Sequence, residues 1–151
     1  MKKIIALSSL FLICMYACNN ADKQAGKSEN DVDAARNFIQ AALDGNYDKA
    51  RTYMVPDKIN QERMDAVERL SQRMTPDERK GLAGASINIH NVSKVTDSST
   101  IVIFSNSFRN ARDTLRVVKQ NDNWLVDFNY YFTHGADTSL AIPLLKDSTN
   151  K

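Results

Sequence analysis

Histidine, cysteine and carboxylate side chains are the residues of this sequence that could do chemistry, and their spacing argues against most kinds of site. The two histidines, His90 and His134, lie on different segments with no partner at the spacing of a metal site. The sequence also lacks a glycine-rich phosphate loop, a nucleophile elbow and a Cys–His pair. We therefore expect no metal ion and no other cofactor.

Acid–base catalysis would need a carboxylate aimed into an apolar core. Residues 124–132 alternate as a strand, with the apolar side chains on one face and Asp127 turned away from it. The alternation around His90 likewise turns that side chain outward. No strand acid is then expected on the core face, which leaves only a helix residue such as Asp44 or Asp48 as a candidate. We expect the protein not to be an enzyme.

The N-terminus has the features of an export signal. Lys2 and Lys3 precede an apolar run from Ile4 to Ala17. Fourteen residues of helix span about 21 Å at about 1.5 Å each, which is too short for a hydrocarbon core of about 30 Å. A positive start, an apolar centre and a small final residue are typical of a secretory signal. Residues 1–17 are therefore predicted to be a signal peptide.

The cysteine that follows this run, Cys18, stands at the position where a signal peptide would be cleaved. The stretch "MYAC", Met15 to Cys18, resembles the lipobox of bacterial lipoproteins, in which the new N-terminal cysteine carries acyl chains. The resemblance implies lipidation of Cys18 and attachment to a membrane of the bacterial cell envelope, with Asn19 compatible with the outer membrane. An ordinary secreted protein with an incidental cysteine is the alternative.

The charge balance argues against nucleic-acid binding, and the cysteine content argues against disulfide bonds within the domain. Without residues 1–17 the chain has 20 − 2 = 18 basic and 18 acidic side chains, so no basic surface argues for nucleic acid. Cys18 is then the single remaining cysteine, and no disulfide can form within the domain. The stability of the domain must come from packing.

The periodicity divides the rest of the chain into a tether, one domain and a tail. Residues 18–30 are polar and predict a flexible tether. Helical spacing covers residues 31–45, 47–54 and 58–74, and Thr75 begins a short fourth helix. From Ser86 the period becomes two, which predicts four antiparallel strands. We assign residues 31–132 to an α+β domain and residues 133–151 to a C-terminal tail.

Two stretches resemble a known family. "ALDGNYDKARTYM", Ala42 to Met54, and "VVKQNDNWLVDF", Val117 to Phe128, are similar to the helix junction and last strand of nuclear-transport-factor-2-like domains, the cone fold of the cystatin-like superfamily. The resemblance implies N-terminal helices packed on a curved four-stranded antiparallel sheet. A cystatin-like sheet around a single helix is the competitor, and the number of helices counts against it.

The resemblance also implies a pocket between helices and sheet, which some members use for isomerase chemistry with an Asp base beside a Tyr and a protonated Asp. Its walls are expected to include the aromatic residues Tyr47, Tyr53, Trp124 and Tyr130.

Three functions follow from these patterns. The preferred one is a lipid-anchored envelope domain without catalysis that contacts a protein partner or a second copy through its sheet, because "IVIF", Ile101 to Phe104, is apolar on both faces. The alternative is a protein that binds a small apolar ligand in the pocket. An isomerase- or dehydratase-like enzyme comes last. The tail segment "LAIPLL", Leu140 to Leu145, is expected to pack on the domain's own sheet edge.

Overall fold

The computed structural model of the protein describes residues 26–134. The predicted signal peptide, Cys18 and the tail segment from residue 135 onward lie outside the described residues. Within the described range no helix is both long and apolar enough to cross a membrane.

Four helices come first in the chain, each started by a side-chain cap. Their bounds are α1 Asp31–Leu43, α2 Tyr47–Thr52, α3 Lys58–Ser71 and α4 Pro76–Ala83. At α1 the Asn30 side chain accepts a hydrogen bond from the Asp33 amide at 2.9 Å. At α4 the Thr75 hydroxyl and the Glu78 carboxylate form a reciprocal capping box. These are the helix starts that the sequence predicts.

A four-stranded antiparallel sheet follows the four helices. Its strands are β1 Ile87–Thr96, β2 Ser99–Asn106, β3 Arg112–Gln120 and β4 Asn123–Asp127, in that order across the sheet. Helices followed by an antiparallel meander confirm the predicted α+β class. The doubly apolar segment Ile101 to Phe104 lies in β2, which is a central strand of the sheet.

The end of the sheet differs from the prediction. Residues 124–132 were expected to form one strand, but β4 ends at Asp127 and a further helix, α5, covers Asn129–His134. The Asn129 amide donates to the buried side chain of Asn60, at 2.8 Å, instead of to a neighbouring strand. This contact turns the chain into a helix, so Tyr131 is buried while Tyr130 is only half-buried. The expected inward position of Tyr130 on a strand is therefore wrong.

The core lies between α1 and the inner face of the sheet. Its largest fully buried apolar side chains are Met54, Met64, Leu115, Val102, Val117 and Val126. After α2 the chain runs along β4, where the Val126 amide donates to the Tyr53 carbonyl at 2.8 Å. Residues of the predicted tether also contact this strand: the Asn123 side chain donates to the Gly26 carbonyl at 2.6 Å.

Candidate ligand cavity

A cavity of about 100 Å³ lies between the helices and the inner face of the sheet. An engineered apolar cavity of about 150 Å³ binds benzene or xenon, so this volume suits a small organic molecule. Its walls come from α1, α3 and α4 on one side and from β2 and β3 on the other. The lining residues are Phe38, Ile39, Ala42, Leu43, Tyr47, Val67, Leu70, Ser71, Met74, Leu82, Phe104, Asn106, Leu115, Phe128 and Tyr131.

The spacing of the lining residues follows from the elements that carry them. On α1 the lining positions recur at three and four residues, as one helix face requires. On β2, Phe104 and Asn106 are two residues apart and therefore share a face of the strand. Ala42 stands where a larger side chain on the same helix face would reach into the space. The cavity is thus a gap between a helix layer and a sheet that the side chains do not fill.

Two polar side chains interrupt the apolar wall at its opposite sides, Asn106 on β2 and Ser71 on α3. Asn106 is only 2% exposed, and its side-chain oxygen accepts hydrogen bonds from the amides of Phe108 at 3.2 Å and Arg109 at 3.0 Å. These bonds close the turn after β2 and fix the orientation of the carboxamide. No carboxylate, histidine, lysine or arginine is among the lining residues.

The expectation that no strand acid lies on the core face is wrong. The polar stretch "FRNARD", residues 108–113, is typical of a turn in sequence, but β3 already begins at Arg112. Asp113 therefore alternates with Leu115 and Val117 on the inner face, where it is 2% exposed. Burial of the Tyr131 hydroxyl, and then the nearby Asp113 carboxylate, raise the pKa of Tyr131 above its ordinary value, while Arg109 acts in the opposite sense.

This acid and this tyrosine lie behind the cavity wall. Asp113 is not a lining residue, and the hydroxyl oxygen of Tyr131 has essentially no accessible surface. What Tyr131 presents to the cavity is its ring, which stacks against Phe128 at a centroid distance of 5.6 Å. The two ionisable groups are therefore not placed to exchange a proton with a molecule in the cavity.

A second inward acid, Asp31, is also shielded from the cavity. It is 8% exposed, and one of its carboxylate oxygens accepts a hydrogen bond from the Thr100 hydroxyl at 2.6 Å. This bond joins the start of α1 to β2. A charge-assisted bond of this kind holds two elements together, and Asp31 is not among the lining residues.

The four aromatic residues predicted for the pocket lie in different places. Tyr47 lines the cavity. Tyr53 is buried at the edge of β4, and Trp124 is half-buried against the core; neither is a lining residue. Tyr130 stacks on the ring of His134, with centroids 4.0 Å apart, and the guanidinium of Arg116 lies 4.9 Å from its ring centroid. These partners hold Tyr130 away from the cavity.

Sequence reasoning did not identify Asn106 or Ser71 as wall residues. Asn106 continues the inner alternation of Val102 and Phe104, which is the one signal that could have placed it inward. Ser71 sits near the end of an otherwise amphipathic helix and carries no such signal. Among residues 26–134 no group of three metal-ligating side chains occurs.

Comparisons with known proteins return one distant likeness. No family profile matches the chain, and no curated protein matches it. A solved structure described as an NTF-2-like protein of unknown function from Shewanella oneidensis MR-1 is similar, with a TM-score of 0.46 and 13% sequence identity. The likeness covers 63% of this chain and 89% of that chain.

Proposed function

We propose that this protein binds a small apolar ligand in the cavity between its helices and sheet, and does so without catalysis. The observation that carries the proposal is a partly enclosed space of about 100 Å³ whose wall is almost entirely aliphatic and aromatic. Ligand sites are typically concave and apolar, with a small number of polar groups that fix orientation. Asn106 and Ser71 are the polar groups of this kind.

The absence of catalysis is part of the proposal. General acid–base chemistry needs a titratable group within hydrogen-bond reach of the reacting atom. The residues that line the cavity carry no carboxylate and no imidazole, and the hydroxyl of Tyr131 lies behind the wall. Such a site can hold a molecule, and the phenol of Tyr47 is the one remaining titratable group in its wall that is not placed behind it.

Thermal unfolding in the presence of small hydrocarbons such as benzene and toluene tests binding. A ligand that binds only the folded state stabilises it by RT ln(1 + [L]/Kd), so the midpoint should rise with ligand concentration. The soluble form that starts at Asn19 keeps all the described elements and avoids partition of the probe into detergent.

A matched pair of variants locates the effect. Ala42→Leu fills the cavity from α1 and should abolish the rise in midpoint. Ala83→Leu adds the same side chain at an exposed position on α4 and should leave it intact. Equal stabilisation of both variants, or no stabilisation of the unmodified protein, would contradict the proposal.

We propose further that Cys18 is acylated and anchors this domain to the cell envelope, at the outer membrane. The support is the "MYAC" stretch after an apolar run that is too short to span a bilayer. One acyl chain holds a protein only reversibly, so stable anchoring needs two or more. Metabolic labelling with a fatty-acid analogue should mark the protein, and Cys18→Ser should remain unlabelled. A freely soluble, unlabelled product would exclude the anchor.

A second candidate function is self-association through the outer face of the sheet. Ile101 and Ile103 are half-buried there, and Arg116 on the same face pairs with Asp127. Because these two charges offset each other, this pair adds no like-charge repulsion between two copies of the face, and the same patch can serve both copies of a symmetric dimer. Light scattering should then report a dimer that Ile103→Lys dissociates, whereas a monomer at all concentrations would exclude it.

A further inference from the structure

We infer that the cavity selects ligands that carry a hydrogen-bond acceptor, with the side-chain amide nitrogen of Asn106 as the donor. This inference deepens the proposed function and rests on it. It names the chemical class of the ligand: a small apolar body that carries one carbonyl, ether or nitrile group.

The orientation of the Asn106 carboxamide is set by the turn that follows β2. Two backbone N–H groups, those of Phe108 and Arg109, point at the same terminal atom of the side chain. That atom must be the oxygen, because only an oxygen accepts hydrogen bonds from two amides. The NH2 group is therefore the other terminal atom of the side chain.

Among the residues that the structure describes, this NH2 group makes no hydrogen bond, and it is not one of the fully enclosed unpaired atoms, although the residue as a whole is only 2% exposed. A donor that faces an apolar cavity without a protein partner is less favourable than one that is paired with an acceptor. Asn106 lines the cavity, so an acceptor on a bound molecule would satisfy the donor where the protein does not. Ligands that accept a hydrogen bond from this NH2 group should therefore bind more tightly than ligands of the same shape that cannot.

The other polar group of the wall, the Ser71 hydroxyl, discriminates less between ligands that donate and ligands that accept a hydrogen bond. The Ser71 hydroxyl can rotate and either donate or accept, whereas the Asn106 NH2 group can only donate. An alcohol and a ketone would both find a partner at Ser71. At Asn106 a hydrocarbon of the same shape leaves the donor unpaired, and this difference sets the preference.

Cyclohexanone and methylenecyclohexane are the probe pair that tests this inference. They share a six-membered ring and differ in an exocyclic C=O against C=CH2. In the unmodified protein the Asn106 side-chain N–H protons, observed by 15N-edited NMR, should move downfield with cyclohexanone and not with methylenecyclohexane. This measurement requires no mutation.

A variant supplies the affinity readout. Asn106→Asp keeps an oxygen for the two turn amides and removes the donor. We expect it to weaken cyclohexanone binding relative to methylenecyclohexane by up to about tenfold, the worth of one net hydrogen bond. Ser71→Ala, on the opposite wall, is the control and should change this ratio much less.

The outcomes separate the two proposals. Binding of both probes with no selective shift of the Asn106 protons overturns this inference and leaves the apolar site standing. Binding of neither probe overturns the proposed function together with the inference. A selective shift with cyclohexanone supports both.

Discussion

The two faces of β2 and β3 are made by the same strands and have opposite properties. On the inner face Val102, Phe104, Leu115 and Val117 are all buried, and the cavity opens among them and the helices. On the outer face Ile101 and Ile103 of β2 and Thr114 and Arg116 of β3 are half-buried, and the side chain of Arg116 bonds to Asp127. Because side chains alternate along a strand, one sheet separates a ligand wall from a surface that faces outward.

The two faces of the sheet therefore suit different kinds of contact. The inner face supplies apolar contact area and one fixed donor, so it can hold a molecule. The outer face carries the Arg116–Asp127 ion pair and half-buried isoleucines, so it can meet water or another copy.

Truncation of an inner side chain should cost far more stability than truncation of an outer one. Leu115→Ala deletes a side chain that is 1% exposed and should lower the free energy of unfolding by about 2–5 kcal/mol. Ile103→Ala, on the outer face, should cost less, about 1 kcal/mol, because that side chain is only partly buried. Urea denaturation followed by circular dichroism measures both. Equal losses would mean that the outer face is also covered.

Two asparagines, one buried and one exposed, extend this comparison of stability losses to polar side chains. Asn60 is buried, donates to Asp57 at 2.8 Å and accepts from the Asn129 amide, so Asn60→Ala leaves two groups without a partner. We expect a loss of about 1–3 kcal/mol in the same denaturation measurement. Asn91 on the outer side bonds only to Ser93 and is exposed, and Asn91→Ala should cost about 0.5 kcal/mol or less. A smaller loss at Asn60 would remove it as the link that starts α5.

The inner tyrosine should make stability fall at alkaline pH. The pKa of Tyr131 is raised above its ordinary value of 10.0, so the unfolded chain loses this proton first. The contribution of Tyr131 to stability is then fully present below about pH 10 and decreases as the pH rises beyond it.

Denaturation midpoints between pH 8 and 11 test this. Tyr131→Phe should flatten the decline, and Tyr130→Phe, on the outer side, should leave it in place. An unchanged slope in Tyr131→Phe would show that the buried hydroxyl does not carry the effect.

The smallest effect is expected at the capping box of α4. The backbone amide of Thr75, and then its hydroxyl, donate to the Glu78 carboxylate and lower the pKa of Glu78 below its ordinary 4.5. The benefit is therefore present above pH 4.5 and is lost as the pH falls through the lowered pKa. Thr75→Ala should move the Glu78 titration, followed by carboxyl 13C NMR, back toward 4.5. No movement would mean that the backbone amide alone sets it.

Local sequence signals predicted the helices and the sheet well and the site only in part. Asn30 and Thr75 mark helix starts by chemistry that acts within three residues, so these starts can be read without a structure. α5 was missed because its first amide bonds to Asn60, which lies 69 residues earlier in the chain. Its alternating aromatic residues look like a strand until that distant contact is known.

The position of Asp113 was missed for a related reason. A short polar segment before a strand is typical of a turn, and only the pairing of Phe104 with Asp113 shows that β3 begins earlier. Of the predicted pocket residues, Tyr47 lines the cavity because it follows the end of α1. The prediction for Tyr130 failed because it required β4 to continue beyond Asp127. The cavity itself depends on how completely side chains from separate elements fill a space, which no local pattern encodes.

The most direct test of the ligand site is methyl NMR of the protein titrated with benzene. We expect chemical-shift changes confined to methyl groups of the cavity wall, such as those of Ile39, Leu82 and Leu115. The methyl signals of Ile101 and Ile103, on the outer face, should not move. Absence of any shift, or equal shifts on both faces of the sheet, would contradict it.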